Sequence, residues 1–527
     1  MADKPVSFPY AKFNDLDIIK RIKSIDAFRV SILLCALFFF FYVGLAISYP
    51  TVYWSDAHDR LALRNQILLG YLPPVMQTLV FVIWKIGGDL LLLRSLLSLI
   101  AVCTLFCIYF LASRFFSNLT GLFALILLGT NLVYTALATV PYPEVLFVGL
   151  VFLALGLREN SPNGGHSFYY SSLVVNIACL TRYEGWLLAV VFVSEEGVRY
   201  LRLRSINKFT PSLLRIVLLI LAPLGWLVFF VSEPGGLFVR LDSILNFTTG
   251  FNSSYLTDRF LSRLSIDYIR GFASNFIHLL KWQAGTGILV FGLIGWVLAF
   301  KSGSQRNSHL RILFFLLLDL LLIAFWGPWD FTNLRQVFLW EVFLIFYAAY
   351  GLEQSAQFVF QTIEKKLDKP AVVIWDKWLI VSLAISLVPL YVPSAINFVA
   401  ITSQASKFSI PAKIGFWLES RLSGNDVVLV LSDDPFQRNE LSAYVSLSHD
   451  AILDDKYDDQ YIYSHLAKAD QVYVIQLYES RSGLSLYESK ILTGLESGEI
   501  RASSTVVAER ILWKTDSKEI ANYYGDK

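Results

Sequence analysis

Apolar runs long enough to cross a lipid bilayer dominate the first 400 residues of the chain. A spanning helix needs about 20 mostly apolar residues, and about eleven segments are candidates, several of them shorter than this. They cover residues 30–48, 95–113, 119–138, 143–157, 168–182, 186–198, 213–231, 286–300, 310–327, 336–352 and 376–397. Because a long polar lead precedes the first run, we interpret it as a retained span rather than a cleaved signal. The pattern predicts an all-α polytopic membrane domain over residues 1–400.

The pattern changes near residue 400, where apolar runs shorten to the length of single strands. Residues 426–432 and 471–477 are strand-like, and helical spacing separates them. We therefore predict a small α/β domain over residues 401–527.

Lysine and arginine clusters predict the orientation, because basic loops favour the cytoplasmic side. The clusters lie in the N-terminal segment and at 199–208, 301–311 and 365–377. Eleven spans place them all on one side, so we predict a cytoplasmic N-terminus and an extracytoplasmic C-terminal domain. Loops 49–94 and 232–285 then lie outside, and each is predicted to contain an interfacial helix. The membrane is the cell membrane, or the endoplasmic reticulum in a eukaryotic host.

Composition and charge exclude several other classes of protein. Only 16% of residues are charged, against about a quarter in soluble domains. A net charge of +2 excludes a basic nucleic-acid binder, and the chain has no P-loop motif of a nucleotide-driven pump. The 6 histidines show no paired spacing, so the sequence predicts no metal site.

The first outer loop carries the candidate base, Asp56. Asp59 lies three residues later on the same helical face, beside Arg60, with His58 between them. A carboxylate just outside the first span is placed to accept a proton from a hydroxyl nucleophile. The alternative is that Ser55 or Asp56 only caps an interfacial helix and that His58 is an interfacial side chain.

Two short outer turns carry further candidates. Tyr142 and Glu144 begin a span, where a carboxylate also suits a helix N-terminus. Arg182, Tyr183 and Glu184 connect two spans. An arginine at the outer face is suited to binding phosphate, although Arg182 and Glu184 can also simply pair with each other.

The order of these motifs resembles the GT-C superfamily of integral-membrane glycosyltransferases, and within it the protein O-mannosyltransferases and aminoarabinose transferases. The resemblance covers roughly residues 30–200. The matching motifs are Ser55-Asp56-Ala57-His58, Ile67-Leu68-Leu69-Gly70, Leu72-Pro73-Pro74, Arg94-Ser95-Leu96, Tyr142-Pro143-Glu144 and Thr181-Arg182-Tyr183-Glu184-Gly185. The chain departs from the family at Ala57, where many members have Glu, and at Leu72, where many have His or Lys.

The resemblance implies transfer of a hexose or pentose from a polyprenyl-phosphate donor to a lipid, glycan or protein hydroxyl, with inversion. In this scheme Asp56 is the base, and Asp59, His58, Arg60, Tyr142, Glu144, Tyr183 and Glu184 contact the substrates. Arg182, Arg335 or Lys85 binds the phosphate, since Leu72 cannot. No cofactor is required, and the use of a divalent metal is left open.

Two other functions fit parts of the sequence. A transporter or flippase of lipid-linked sugars would use an ionisable residue within a span, and Asp319 is such a residue. The alternative is that Asp319 only bonds a neighbouring helix. A receptor or scaffold would act through residues 401–527, although so many spans are excessive for an anchor.

Overall fold

The computed structural model describes residues 27–49, 55–65, 67, 73–159, 166–203, 209–232, 265–302, 305–326, 334–367 and 396–399, and in the C-terminal part residues 414, 418, 421–422, 426–431, 441, 452–453, 468–476, 491, 493, 495–497, 502–507 and 510–516. The chain divides into two compact units. The first unit comprises Met1–Tyr42, Ser98–Ala138 and Glu144–Ala395, and the second comprises Val43–Leu97, Thr139–Pro143 and Ile396–Lys527. The predicted domain boundary at residue 400 stays a prediction.

Helices make up nearly all of the described part of residues 27–367. They are α1 (Ala27–Ser48), α2 (Ser55–Ala62), α3 (Pro74–Lys85), α4 (Leu90–Phe115), α5 (Asn118–Gly129), α6 (Leu132–Leu137), α7 (Pro143–Glu159), α8 (His166–Cys179), α9 (Glu184–Leu203), α10 (Phe209–Ser232), α11 (Ile266–Lys301), α12 (Arg306–Trp326) and α13 (Leu334–Leu367).

Five helices in the described ranges are long and apolar enough to cross a membrane. The qualifying segments are α1, α4, Tyr268–Lys301 of α11, Arg306–Ala324 of α12 and Val337–Val359 of α13. The chain is therefore a multi-pass membrane protein, while the total of about eleven spans stays a prediction. The predicted span at 376–397 and residues 233–264 of the fourth outer loop lie outside the described residues.

Two predicted spans differ in their bounds from the helices observed. The run 119–138 contains two helices, because the Asn131 side chain accepts a hydrogen bond from the Tyr134 N–H at 2.9 Å and so caps a new helix. The span expected at 286–300 belongs to the longer helix α11. Gly285 interrupts α11 with a φ of 82°, a conformation that glycine adopts readily.

A proline inside α10 leaves backbone groups that a neighbouring helix satisfies. Pro223 has no N–H and disrupts the helical hydrogen bonds around it. Asn176 of α8 accepts from the Ala222 N–H at 2.6 Å and donates to the Leu218 carbonyl at 2.6 Å. Since lipid offers no hydrogen bonds, this amide joins α8 to α10.

Helices α11 and α13 cross at glycines, which lets their backbones approach closely. A Cβ added to Gly351 would overlap the Phe291 carbonyl oxygen, and one added to Gly295 would overlap that of Tyr347. A Cβ added to Gly287 of α11 would meet nothing within 4 Å.

We expect Gly351→Ala to destabilise the membrane unit by about 1–3 kcal/mol, the usual effect of overpacking. Thermal unfolding of the detergent-solubilised protein should show a lower Tm, whereas Gly287→Ala should leave the Tm unchanged or raise it. Equal Tm values for the two variants would contradict the close crossing.

The C-terminal residues form a five-stranded mixed sheet in the second unit. Its strands are β1 (Val427–Leu431), β2 (Ile452–Leu453), β3 (Gln471–Gln476), β4 (Ala502–Val507) and β5 (Arg510–Asp516). Their order is β2-β1-β3-β5-β4, with β1 parallel to β2 and β3, and β5 antiparallel to β3 and β4. Both predicted strands are present, as β1 and β3. Val428, Val430 and Ile475 lie in the core of this sheet.

Candidate active site

In the second unit, one buried arginine fixes the segment that leads to Asp56. Arg94, at the start of α4, is 1% exposed. It donates to the carbonyl oxygens of Ala46 at 3.0 Å, Tyr49 at 2.6 Å and Thr139 at 2.8 Å. It therefore joins the end of α1 to the turn that contains Tyr142, which is itself buried.

Asp56 lies in the first turn of α2, and this helix packs on α3. Gln77 of α3 donates to the backbone carbonyls of Arg60 at 3.2 Å and Leu63 at 2.8 Å. The Arg60 side chain is buried, so it lies inside this unit. The side chains of Asp56, His58 and Asp59 lie outside the description.

Lys85 is exposed at the end of α3. Its Nζ lies 5.4 Å from the centre of the Phe81 ring. Arg335 lies in the first turn of α13, and its side chain is among those not described.

In the first unit, Arg182 lies between two predicted substrate-binding carboxylates. Its Nη1 donates to Glu144 Oε1 at the start of α7. Its Nε donates to Glu184 Oε2 at 3.0 Å, and its Nη2 to Glu184 Oε1. The Glu144 side chain is 3% exposed, against 19% for Arg182 and 20% for Glu184. The accessible side of this charged cluster is therefore formed by Arg182 and Glu184.

The guanidinium of Arg182 stays positively charged. Burial alone would lower the pKa of the guanidinium, but the carboxylates of Glu184 and Glu144 outweigh burial and raise the pKa above its ordinary value. A guanidinium has five N–H groups, and these bonds use three of them. Within the part of the chain that the structure describes, the other two N–H groups have no acceptor, which makes them available to an anionic ligand.

The turn before α9 holds Arg182 in place through close backbone packing. A Cβ on Gly185 would lie 2.6 Å from the Ala178 carbonyl oxygen, so only glycine fits. The Arg182 N–H donates to the same carbonyl at 3.0 Å. Burial raises the pKa of the neighbouring Tyr183 phenol, which therefore remains protonated.

Two further carboxylates of the first unit are buried within spans. Asp319 of α12 is 1% exposed and has Glu184, Arg182 and the Trp340 indole as electrostatic neighbours. Glu341 of α13 is fully buried, and its Oε1 accepts from Asn131 Nδ2 at 2.6 Å. The sequence offered Asp319 as a transporter residue or as a bond to a neighbouring helix, and it missed Glu341. Its position inside an apolar run was the signal that could have found it.

The structure thus gathers the predicted residues into two groups. Arg182, Glu144, Glu184 and Tyr183 belong to the first unit, while Arg60, Lys85, Tyr142 and the helix of Asp56 belong to the second. Across the part of the chain that the structure describes, no cluster of three or more His, Cys, Asp or Glu side chains is arranged to hold a metal ion.

Comparison with solved structures defines the fold. The crystal structure of apo ArnT from Cupriavidus metallidurans aligns with a TM-score of 0.56 and 11% identity, over 93% of this chain and 98% of ArnT. The crystal structure of the same protein bound to undecaprenyl phosphate aligns with a TM-score of 0.52 and 12% identity, with the same coverage. No protein-family model and no curated sequence matches the chain.

The chain therefore has the fold of ArnT over nearly its whole length. The resemblance to aminoarabinose transferases that the sequence motifs predicted is confirmed at the level of the fold.

Proposed function

We propose that the protein is a membrane glycosyltransferase that moves a hexose or pentose from a polyprenyl-phosphate donor to an acceptor hydroxyl. One observation carries the proposal. In a chain with the fold of ArnT, Arg182 is held at the start of α9 by two carboxylates and keeps two N–H groups for an anion. The ArnT structure bound to undecaprenyl phosphate supports a lipid phosphate as that anion.

The reaction requires no energy source beyond the donor. Asp56 takes the proton of the acceptor hydroxyl as its oxygen forms a bond to C1 of the sugar from the opposite face. The bond between C1 and the phosphate oxygen breaks, and its electron pair leaves on the polyprenyl phosphate. The anomeric carbon is therefore inverted. Preorganised cations such as Arg182, Lys85 and Arg335 stabilise the departing phosphate.

The remaining predicted residues bind the two substrates or support the site. Glu184 and Tyr183 contact sugar hydroxyls, while Asp59 and His58 border the acceptor, which is a lipid, a glycan or a protein. Tyr142, Glu144 and Arg60 are buried, so we assign them to the support of the site rather than to direct contact with the substrates. We place this face outside the cytoplasm, with a cytoplasmic N-terminus and an extracytoplasmic domain at 401–527. The donor needs no organic cofactor, and the use of a divalent metal remains open.

A transporter or flippase of lipid-linked sugars is the second candidate. Asp319 and Glu341 favour it, because buried carboxylates within spans are typical of proton and ion pathways. Asp319 also lies near Arg182 and Glu184 at the start of α9, and Glu341 contacts Asn131, which caps α6. A transferase therefore accommodates both carboxylates equally well.

Native mass spectrometry of the detergent-purified protein tests the donor class. We expect a co-purified polyprenyl phosphate or its sugar ester, whose mass identifies the sugar as a hexose, pentose or amino sugar. Bulk phospholipids alone, none of them displaced by added undecaprenyl phosphate, would refute the proposal.

A further inference from the structure

The two halves of α11 differ in charge. The helix has 36 residues and would reach about 54 Å if it were straight, whereas the hydrocarbon core of a bilayer is about 30 Å thick. The non-helical backbone of Gly285 divides it. No charged residue lies between Gly285 and Lys301, whereas residues 266–284 contain Asp267, Arg270 and Lys281. This charged half of α11 (residues 266–284) is therefore the part suited to the membrane surface.

One face of the charged half packs on neighbouring helices of the first unit. The Tyr268 hydroxyl donates to the Ala324 carbonyl oxygen of α12 at 2.9 Å. The Phe276 ring meets the Trp340 ring of α13 edge-on, with 5.4 Å between their centres. Phe276 and Leu280 are buried beside α13. Because these contacts fix one face of the charged half, the residues on its opposite face are fixed as well.

The opposite face carries a stripe of basic side chains. Arg270, His278 and Lys281 are all exposed. With 3.6 residues per turn, these three positions fall within about 80° of the helix circumference. Among the residues that the structure describes, none forms an ion pair with this stripe. Asp267 is the only acidic residue of the charged half, and its side chain lies outside the description.

Exposed isoleucines lie beside the basic stripe. Ile266, Ile269 and Ile277 are each more than half exposed, and their positions lie between the stripe and the packed face. A helix with apolar side chains next to basic ones is typical of a segment in the membrane interface. The apolar side chains enter the acyl region there, and the cations meet the lipid phosphates. A surface of anionic lipids attracts such cations most strongly.

We infer that the charged half of α11 binds the headgroups of anionic phospholipids through Arg270 and Lys281, while the isoleucines enter the acyl region. The charge of the stripe selects anionic over zwitterionic lipids. This binding surface is independent of the proposed function, because it requires neither a polyprenyl-phosphate donor nor Arg182.

Photocrosslinking identifies the molecule that contacts the stripe. Benzoylphenylalanine is placed at position 274, because Ser274 is exposed on the same face as Arg270 and Lys281. As a matched control it is placed at position 293, because Leu293 is half-exposed in the uncharged half of α11. Each full-length protein is irradiated in nanodiscs of equal parts phosphatidylglycerol and phosphatidylcholine with the same acyl chains. Mass spectrometry of the digested protein then identifies the captured lipid.

We expect position 274 to capture phosphatidylglycerol on the order of 20-fold more than phosphatidylcholine, since each cation contributes about fivefold. Combining Arg270→Gln with Lys281→Gln should bring this ratio close to one. Combining Arg270→Lys with Lys281→Arg keeps both charges and should keep the preference. Position 293 should capture both lipids equally in every background, which also shows that the bundle is intact.

Three results would overturn the inference. The first is equal capture of the two lipids at position 274 in the wild-type background. The second is an excess of phosphatidylglycerol that survives the loss of both cations. The third is capture of no lipid at position 274 while position 293 captures both, because the stripe would then face water or protein. Each of these results leaves the proposed function intact.

Discussion

Replacement of Asp56 by Asn is expected to lower the rate of sugar transfer by about 10²–10⁴-fold, the usual contribution of a general base. An amide cannot accept the acceptor proton, so the nucleophile stays a neutral hydroxyl. Asn caps helices about as well as Asp does, so α2 and its packing on α3 should persist. The rate is measured as the loss of polyprenyl-phosphate sugar from proteoliposomes.

Asp89→Asn provides a matched control for this substitution. Asp89 lies in the same unit, just before α4, and its Oδ1 accepts from the Leu92 N–H at 2.8 Å. If Asp56 only caps its helix, the two variants should retain equal activity, and the role of Asp56 as base would be wrong.

Replacement of Arg182 by Ala is expected to reduce the affinity for undecaprenyl phosphate by about 10²–10⁴-fold. Two charge-assisted hydrogen bonds of about 1.5–3 kcal/mol each would be lost. The protein should also be less stable, because Glu144 would remain buried without its cation. Breaking a fully buried pair costs about 3–5 kcal/mol, and less is expected here because Arg182 is 19% exposed. Lipid titration and thermal unfolding measure the two effects.

Two further variants separate binding from stability. Arg182→Lys keeps the charge but not the fork of N–H groups, so it should bind lipid weakly while retaining most of the stability. Arg215→Ala removes a comparably buried arginine, 16% exposed, that pairs with Glu196 about 18 Å further along α9. It should lower stability without changing lipid affinity. Equal loss of lipid affinity in Arg215→Ala would rule out a specific phosphate site at Arg182.

Hydropathy predicted most helices well because a span needs a long apolar run and little else. It could not predict the break at Asn131, since an asparagine inside an apolar run gives no sign that it caps a new helix. It assigned the first half of α11 to an interfacial helix in the fourth outer loop and did not predict that this helix continues into the span at 286–300, because Asp267 and Arg270 interrupt the apolar pattern. Those positions depend on tertiary contacts rather than on composition.

The sequence predicted which residues belong to the candidate site, but not all of the contacts between them. The sequence offered pairing between Arg182 and Glu184 as an alternative to phosphate binding, and the pairing is present. The contact with Glu144 was not predictable, because 38 residues separate it from Arg182. Only the packing of the bundle brings the starts of α7 and α9 together.

The buried carboxylates of the spans show a further limit of sequence reasoning. Glu341 contacts Asn131 across 210 residues, and both residues look isolated in the sequence. Buried polar groups are costly without partners, so each predicts that a partner exists. The sequence does not say which residue that partner is.

The fate of a labelled donor shows whether the protein transfers the sugar or transports the intact lipid. Polyprenyl-phosphate sugar, labelled in the sugar, should be followed by mass spectrometry in membranes that contain wild-type protein, Asp56→Asn or neither. We expect wild-type protein alone to convert the donor into free polyprenyl phosphate and a glycosylated acceptor. A donor that crosses the bilayer with its sugar bond intact, or that disappears equally in all three membranes, would show that the protein is not a transferase.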